Sequence, residues 1–513
     1  MSCMIDGGGV IIGGLTKNLS RFRGKTFRDV LLPPLGENIA GSRSGVALDT
    51  KFSVNVALKQ PLVSANMLDV TESKMAIKMA LEGGLGVIHR FIPPDQQADQ
   101  VASAKRAHNF LIENPICIGY KDSVGAARNI MEQHGIGSLL VLDFNGKLDG
   151  ILTQRDIRFV PEKDCVSAHM TKRIYVPGYD RGNLIVSNLQ EVSSAADIIQ
   201  KLIRHKIKKL PVVDSNNYVR GLISAKDIER LGQYPLANLD SKGNLIVGAA
   251  IGAVGDYIER AQELKKRNVD VIVMDVTSAN SSSVKNAIRE FRRRLGNYEL
   301  VIGNIGSSEQ AHALMREDVQ GLKIGIGPGG PCTTRLATGI GVPQLFAILE
   351  IYWNLYISNH MNEEIPPLCA DGNIRSGVDV VHALLAGASS VMLGTVFAGT
   401  EETPGKDYDK PDGRYKLYRG MASQEAAIER FTAAGFDDPV AEAIKKSPEG
   451  IPTEVKVKGS VSRVISDLLG GVRAGISHRG VLSLEDLKKQ NPFDEQTGFQ
   501  ILSDAARAES YDR

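Results

Sequence analysis

The stretch Gly325-Ile-Gly-Pro-Gly-Gly-Pro-Cys-Thr-Thr-Arg335 holds the residue types best suited to covalent chemistry in this chain. A thiolate is both a strong nucleophile and a ready leaving group, so Cys332 could attack an electron-poor carbon and depart again. The glycines around it leave room for a ligand to approach the backbone closely. Thr333 and Thr334 set hydroxyls beside the thiol, where protons could be relayed. Carbonyls of Gly327, Gly329 and Cys332 could also ring a monovalent cation. A lone cysteine in a turn is usually just a small packed residue; here the surrounding pattern singles it out.

Such a loop needs a scaffold, and the sequence describes one. Short runs rich in Val and Ile recur, each ending at or beside Gly, Asn or Asp: Val271 to Asp275, Leu300 to Asn304, Leu322 to Ile326 and Ser390 to Gly394. Between the first two, Ser283 to Leu295 has the spacing and charge of a surface helix. This βαβα rhythm implies parallel strands covered on both faces. A (β/α)8 barrel places its chemistry at the strand C-terminal ends, where the polar and glycine residues fall. A doubly wound sheet has the same rhythm.

The rhythm breaks over residues 110–232, where the chain repeats itself. Leu139-Leu-Val-Leu-Asp143 with Gly150 to Ile157 matches Leu210-Pro-Val-Val-Asp214 with Gly221 to Ile228, and the aspartates Asp156 and Asp227 stand 71 residues apart. Two copies make a pair rather than a solenoid, each burying its face on the other. Both copies resemble the cystathionine-β-synthase (CBS) module. Thr153 with Asp156, and Ser224 with Asp227, would place a hydroxyl at a helix start and a carboxylate in its first turn. The free N–H groups there suit a phosphate and the carboxylate suits a ribose diol; simple capping by Thr and Ser is the plainer alternative.

Composition narrows the field. The chain has 513 residues, 42% hydrophobic and 23% charged, with a formal net charge of +2. That is an ordinary globular composition, and no basic stripe marks a nucleic-acid track. Cys3, Cys117, Cys165, Cys332 and Cys369 are odd in number and widely spaced, which fits neither a disulfide framework nor a zinc site. No apolar run approaches a membrane span and no leader is recognisable, so no membrane is expected and a cytoplasmic location is the default.

The Cys332 loop strongly resembles that of the IMP dehydrogenase and GMP reductase family. The resemblance runs over nearly the whole chain: Ser64-Ala-Asn-Met67 with Val70-Thr-Glu72, Gly83 to His89, Ala370-Asp-Gly-Asn-Ile374, Val391-Met-Leu-Gly394 with Ala398-Gly399, Tyr418-Arg-Gly-Met421, and Glu449-Gly450. It implies a (β/α)8 TIM barrel, residues 1–109 and 233–513, with a tandem CBS domain inserted over 110–232. It also implies a homotetramer or homo-octamer whose cysteine attacks carbon 2 of a purine nucleotide. Carried over by position, Cys332 is the nucleophile, with Thr334 and Glu449 in proton transfer. Asp371 would bind the ribose, and Gly372, Asn373, Gly394, Thr395, Gly420, Met421 and Gly450 would line the phosphate and base pocket. Gly327, Gly329, Cys332 and Arg335 match the potassium site, and Asp275, Val276 and Thr277 the nicotinamide cofactor site. Thr153, Asp156, Ser224 and Asp227 would serve regulatory purine nucleotides.

Two reactions share that cysteine. Dehydrogenases oxidise IMP to XMP with NAD, and hold an Arg-Tyr pair on a flap about 13 residues beyond Arg-Gly-Met; here that place reads Ala433-Ala-Gly-Phe436. The nearest guanidinium, Arg430, reads as an exposed helix arginine beside Glu429. After the cofactor-side aspartate, Val276-Thr-Ser-Ala-Asn280 also looks more like the reductases, as does Ala65-Asn-Met67. The flap length and the CBS pair point toward the dehydrogenases. The balance favours NADPH-dependent reductive deamination of GMP to IMP and ammonia, with IMP dehydrogenase as the alternative.

Overall fold

Eight short runs rich in β-branched and small residues form parallel strands: β1 (Leu62–Ser64), β2 (Leu85–Ile88), β3 (Gly248–Ile251), β4 (Val271–Asp275), β5 (Leu300–Ile305), β6 (Gly321–Ile324), β7 (Leu368–Asp371) and β8 (Ser390–Leu393). In the computed structural model of the chain they close into a barrel in the order β3-β4-β5-β6-β7-β8-β1-β2. Gly248 of β3 pairs with Val87 of β2 to complete the ring. A doubly wound sheet would keep two open edges; closure removes them. The structure describes residues 17–35, 43–107, 111–112, 115–173, 184–188, 195–225, 233–358, 365–433, 435–445 and 447–511.

Side chains alternate in and out along each strand. Val63, Leu85, Val87, Ala250, Val271, Val273, Val301, Cys369 and Met392 point inward and form one buried cluster with Phe52, Val56 and Leu58. Their neighbours Leu62, Ile88, Ala249, Ile251, Ile272, Met274, Ile302, Leu322 and Leu393 belong to the larger core outside the barrel wall. Helix Ser282–Leu295 shows the outer packing: Ser281 caps its start through Val284 N, and Val284, Ala287, Ile288, Phe291 and Leu295 form the buried stripe. The same period of two then sets the site. Counting up from the apolar layer, Asp275 follows Val273, Gly303 follows Val301, and Asp371 follows Cys369 on the inward face.

The chain divides into two compact units, Met1–Ala107 with Leu236–Arg513, and His108–Pro235. The smaller unit holds two four-stranded sheets built alike. Leu139 pairs with Leu152 in one sheet and Leu210 with Ile223 in the other, so the 71-residue offset in the sequence returns as an identical pairing register. Helices Val124–Gln133 and Ala195–His205 repeat the offset. Leu140, Leu148 and Ile151 of the first copy share a buried cluster with Val213 and Leu222 of the second. Among the described residues no helix is long and apolar enough to cross a membrane.

His382 gives the barrel unit an acid-sensitive joint. It is 2% exposed on helix Gly377–Leu385, with Nδ1 3.2 Å from the Phe27 carbonyl oxygen and its ring edge-on to Phe499. Burial pushes its imidazole down to about 4, against the pull of the Phe27 carbonyl. The unfolded chain titrates it near 6.5. Between those values the unfolded state takes up the extra proton. The contribution is therefore full above about 6.5 and is lost as pH falls toward 4. Urea midpoints should fall over that window, and His382→Gln should flatten the fall; an unchanged slope would contradict this reading.

Candidate active site at the barrel rim

One buried ammonium organises the inner face. Lys323 on β6 is 2% exposed and reaches Asp275 Oδ1 on β4 at 2.7 Å and Asp371 Oδ2 on β7 at 2.5 Å. Asn304 Nδ2 donates to the same Asp371 oxygen at 3.0 Å and to the Gly325 carbonyl at 2.7 Å. Burial alone would favour the neutral amine, but the two carboxylates outweigh it and hold Lys323 protonated. Burial would likewise raise Asp275, yet Lys323, Arg90 and a hydrogen bond from Asn66 hold it below the usual carboxylate range. Gly303 makes room: a Cβ there would lie 2.5 Å from the Lys323 Cβ and carbonyl oxygen. Asp275 and Asp371 were expected at the site. Lys323, Asn304 and Gly303 were not, although a lone lysine inside a buried strand needs a partner and was itself a signal.

The chain leaves β6 into the glycine loop that carries Cys332. Its thiol donates to Thr334 Oγ1 at 3.3 Å, and that hydroxyl donates to Glu449 Oε2 at 2.7 Å across 115 residues. Backbone contacts sew the two segments together: Cys332 bridges Gly450, Thr333 N donates to the Glu449 carbonyl at 2.9 Å, and Ile451 N to the Pro331 carbonyl at 3.0 Å. Gly420 fits because a Cβ would sit 2.7 Å from the Pro331 oxygen. Gly450 thus enters as the backbone partner of Cys332. Arg335 spends its guanidinium on the carbonyls of Ile326 and Val342, bracing the loop from outside. The Gly329 carbonyl accepts from Cys332 N at 3.1 Å.

A cavity of about 610 Å³ opens in front of the thiol. Its wall includes Cys332, Thr334, Glu449, Asp371, Gly372, Asn373, Gly394, Thr395, Gly420, Met421, Asp275, Val276, Thr277, Gly327 and Gly329. Asn373 directs its amide away, donating to Thr26 Oγ1 at 2.9 Å. Thr395 Oγ1 meets the Tyr418 hydroxyl at 3.2 Å, and burial pushes that phenol well up. The wall also includes Arg90 and Arg430.

Arg430 corrects the sequence reading. It is half-buried on helix Gln424–Ala433 and faces the cavity instead of solvent. Its neighbour Glu429 is taken by another arginine. Arg419 donates to Glu429 Oε1 at 2.5 Å and, through Nε and its other amino group, to both oxygens of Asp69 at 2.9 and 2.6 Å. In chain order the helix falls between strands Gly413–Arg419 and Pro452–Lys456, which pair with each other in an antiparallel sheet completed by Tyr408–Lys410.

In the smaller unit the expected helix start after Thr153 is absent: residues 154–159 form turns. Asp156 folds back to accept from both Thr153 N and Thr153 Oγ1 at 2.8 Å, closing a local loop. Ser224 ends its strand in register with Lys209, as Thr153 does with Ser138. Asp227 lies outside the described residues.

Comparison with known proteins agrees over nearly the full length. The family model for the IMP dehydrogenase / GMP reductase domain matches residues 24–511. The chain is 38% identical over 476 residues to inosine-5'-monophosphate dehydrogenase of Nitrosopumilus maritimus, covering 92% of this chain and 95% of that protein. Against the Streptococcus pyogenes inosine-5'-monophosphate dehydrogenase the identity is 37% over 483 residues, 94% of each chain. Among solved structures, a point variant of Trypanosoma brucei GMP reductase in complex with guanosine 5'-monophosphate superposes with a TM-score of 0.82 at 33% identity, covering 94% of this chain and 96% of that one. The same organism's GMP reductase with guanosine 5'-triphosphate gives 0.72 at 30%, covering 93% and 97%.

The lysine cluster makes a direct prediction. Lys323→Met would leave two carboxylates facing each other without their shared cation. Breaking a buried pair this way costs about 3–5 kcal/mol, so urea unfolding at neutral pH should show a loss of that order. A loss below about 1 kcal/mol would mean that the three groups are not coupled.

Proposed function

Because the chain belongs to the IMP dehydrogenase / GMP reductase family, we propose that it catalyses NADPH-dependent reductive deamination of GMP to IMP and ammonia. The observation that carries this reading is the relay Cys332–Thr334–Glu449, with hydrogen bonds of 3.3 and 2.7 Å. The Cys332 sulfur bonds to carbon 2 of the purine. The thiol proton passes through Thr334 to Glu449 as the bond forms, and Glu449 returns it by the same relay to the 2-amino group, which leaves as ammonia. NADPH, held along Asp275, Val276 and Thr277, would supply the hydride for that carbon, and Cys332 is the group that leaves it as thiolate. Asp371, held by Lys323 and Asn304, receives the ribose, and Gly372, Gly394, Thr395, Gly420 and Met421 surround phosphate and base.

Two features of the cavity fit the dinucleotide. Asp275 stands at its edge below the usual carboxylate range, and the buried Arg90 Nε has no hydrogen-bond partner. Val276 and Thr277 extend the same wall. A potassium ion would take carbonyls of Gly327, Gly329 and Cys332, with Arg335 fixing the loop that presents them. The unit His108–Pro235 is proposed to be a CBS pair that binds regulatory purine nucleotides; its repeated register and the GTP complex of the T. brucei reductase support this. The family resemblance supports a homotetramer or homo-octamer, and a cytoplasmic location remains the default.

IMP dehydrogenase is the second reading, favoured by the names of the sequence relatives and by Arg430 in the cavity, where a guanidinium could activate water. Absorbance at the reduced-nicotinamide band separates the two. With GMP and NADPH the signal should fall, with one ammonia per NADPH consumed. Glu449→Gln should lower kcat by about 10²–10⁴-fold. A rise with IMP and NAD, and no change with GMP and NADPH, would reassign the chain to the dehydrogenases.

A further inference from the structure

Two guanidinium groups share the cavity with Cys332, and among the described residues neither makes an ion pair. Arg90 follows β2, with Cζ 5.5 Å from the Phe91 ring centroid. Its Nε is buried without a hydrogen-bond partner. Arg430 enters from helix Gln424–Ala433 and stacks its Cζ 4.8 Å from the Phe431 ring centroid. Burial works against the charge on both, and Arg430 adds to the penalty on Arg90. Two like charges brought together in a partly dry space are unfavourable on their own. They become favourable when an anion sits between them, because guanidinium forks match phosphoryl oxygens.

The arrangement is built rather than accidental. Arg419 ties Glu429 to Asp69 on the barrel, and Asp69 and Arg419 are only 7% and 13% exposed in their side chains. That tether fixes the helix turn from which Arg430 projects. The position of the pair favours one ligand. Arg90 acts on the charge of Asp275, the aspartate read above as facing the dinucleotide, and both guanidiniums line the same cavity wall.

We propose that Arg90 and Arg430 form a clamp for a phosphoryl group of the nicotinamide dinucleotide, and that Arg419 is a positioning residue holding Arg430 in place through Glu429. The proposal rests on the reading of the cavity as a joint nucleotide and dinucleotide site. The phosphoryl group is either the diphosphate bridge, common to NADH and NADPH, or the 2'-phosphate of NADPH alone.

Calorimetric binding of NADPH, NADH and GMP to the full chain tests it. Arg430→Gln and Arg90→Gln should each weaken NADPH by about tenfold or more while leaving GMP within twofold, which also shows that the fold is intact. Equal loss for NADH identifies the diphosphate; loss for NADPH alone identifies the 2'-phosphate. Arg430→Lys should recover part of the affinity, and Glu429→Gln should raise the KM for the dinucleotide with little change in kcat. Unchanged dinucleotide affinity overturns the clamp, whether turnover survives or collapses. So does a loss confined to GMP. Absence of NADPH consumption with GMP would defeat the reductase reading alone, since these affinities require no turnover.

Discussion

The architecture depends on a buried ammonium that has to find two carboxylates. Lys323 cannot remain charged inside the barrel unless Asp275 and Asp371 are both within reach. Those aspartates come from strands on either side of its own, one of them separated from it by β5. Only a correctly registered, closed barrel brings all three to one level. Register therefore carries a large energetic signal here: a one-residue slip would turn the charges into the apolar shell. The same level holds Gly303, whose missing Cβ lets Lys323 pass. Fold and site are in this sense one constraint. The apolar layer below fixes the barrel, and the charged layer above uses the same alternation to gather Asp275, Lys323 and Asp371 at one level.

The Cys332 thiol sits one step outside this layer, on the glycine loop that follows β6. What fixes it is the segment around Glu449, which pairs with Cys332, Thr333 and Pro331 through backbone contacts before any side chain is considered. The antiparallel sheet of Gly413–Arg419 and Pro452–Lys456 anchors that segment. Thr334 is thereby caught between thiol and carboxylate, hydrogen-bonded to both. Asn304 connects the lysine cluster to the sewn loop by bonding both Asp371 and the Gly325 carbonyl.

Much of this was legible beforehand where chemistry is local. Val271–Asp275 is a strand over the residues expected, and the helix expected from Ser283 begins at Ser282. The 71-residue repeat in the sequence became matching registers because equal spacing of apolar residues makes equal pairing. Cys332, Thr334 and Asp371 stood out by motif. Lys323 escaped notice because its partners are 48 residues away in each direction, Asp371 ahead and Asp275 behind. Arg430 was misjudged for the opposite reason. Its place beside Glu429 looked like a solvated helix face, but Arg419, at the end of the preceding strand, claims that carboxylate. After Thr153 the Asp156 side chain closes a turn where a helix start was expected, a competition between capping and turning that propensity does not decide.

The proposed bond from the Cys332 sulfur to the purine is the claim on which the functional reading of the layer, the loop and the relay rests. The direct measurement is intact-mass and peptide analysis of enzyme quenched in acid during turnover with GMP and NADPH. The covalent route predicts a nucleotide mass on the peptide containing Cys332, and none when Cys332→Ala is treated alike. Turnover at a normal rate by Cys332→Ala, with no nucleotide mass on the wild-type peptide at any quench time, would contradict it.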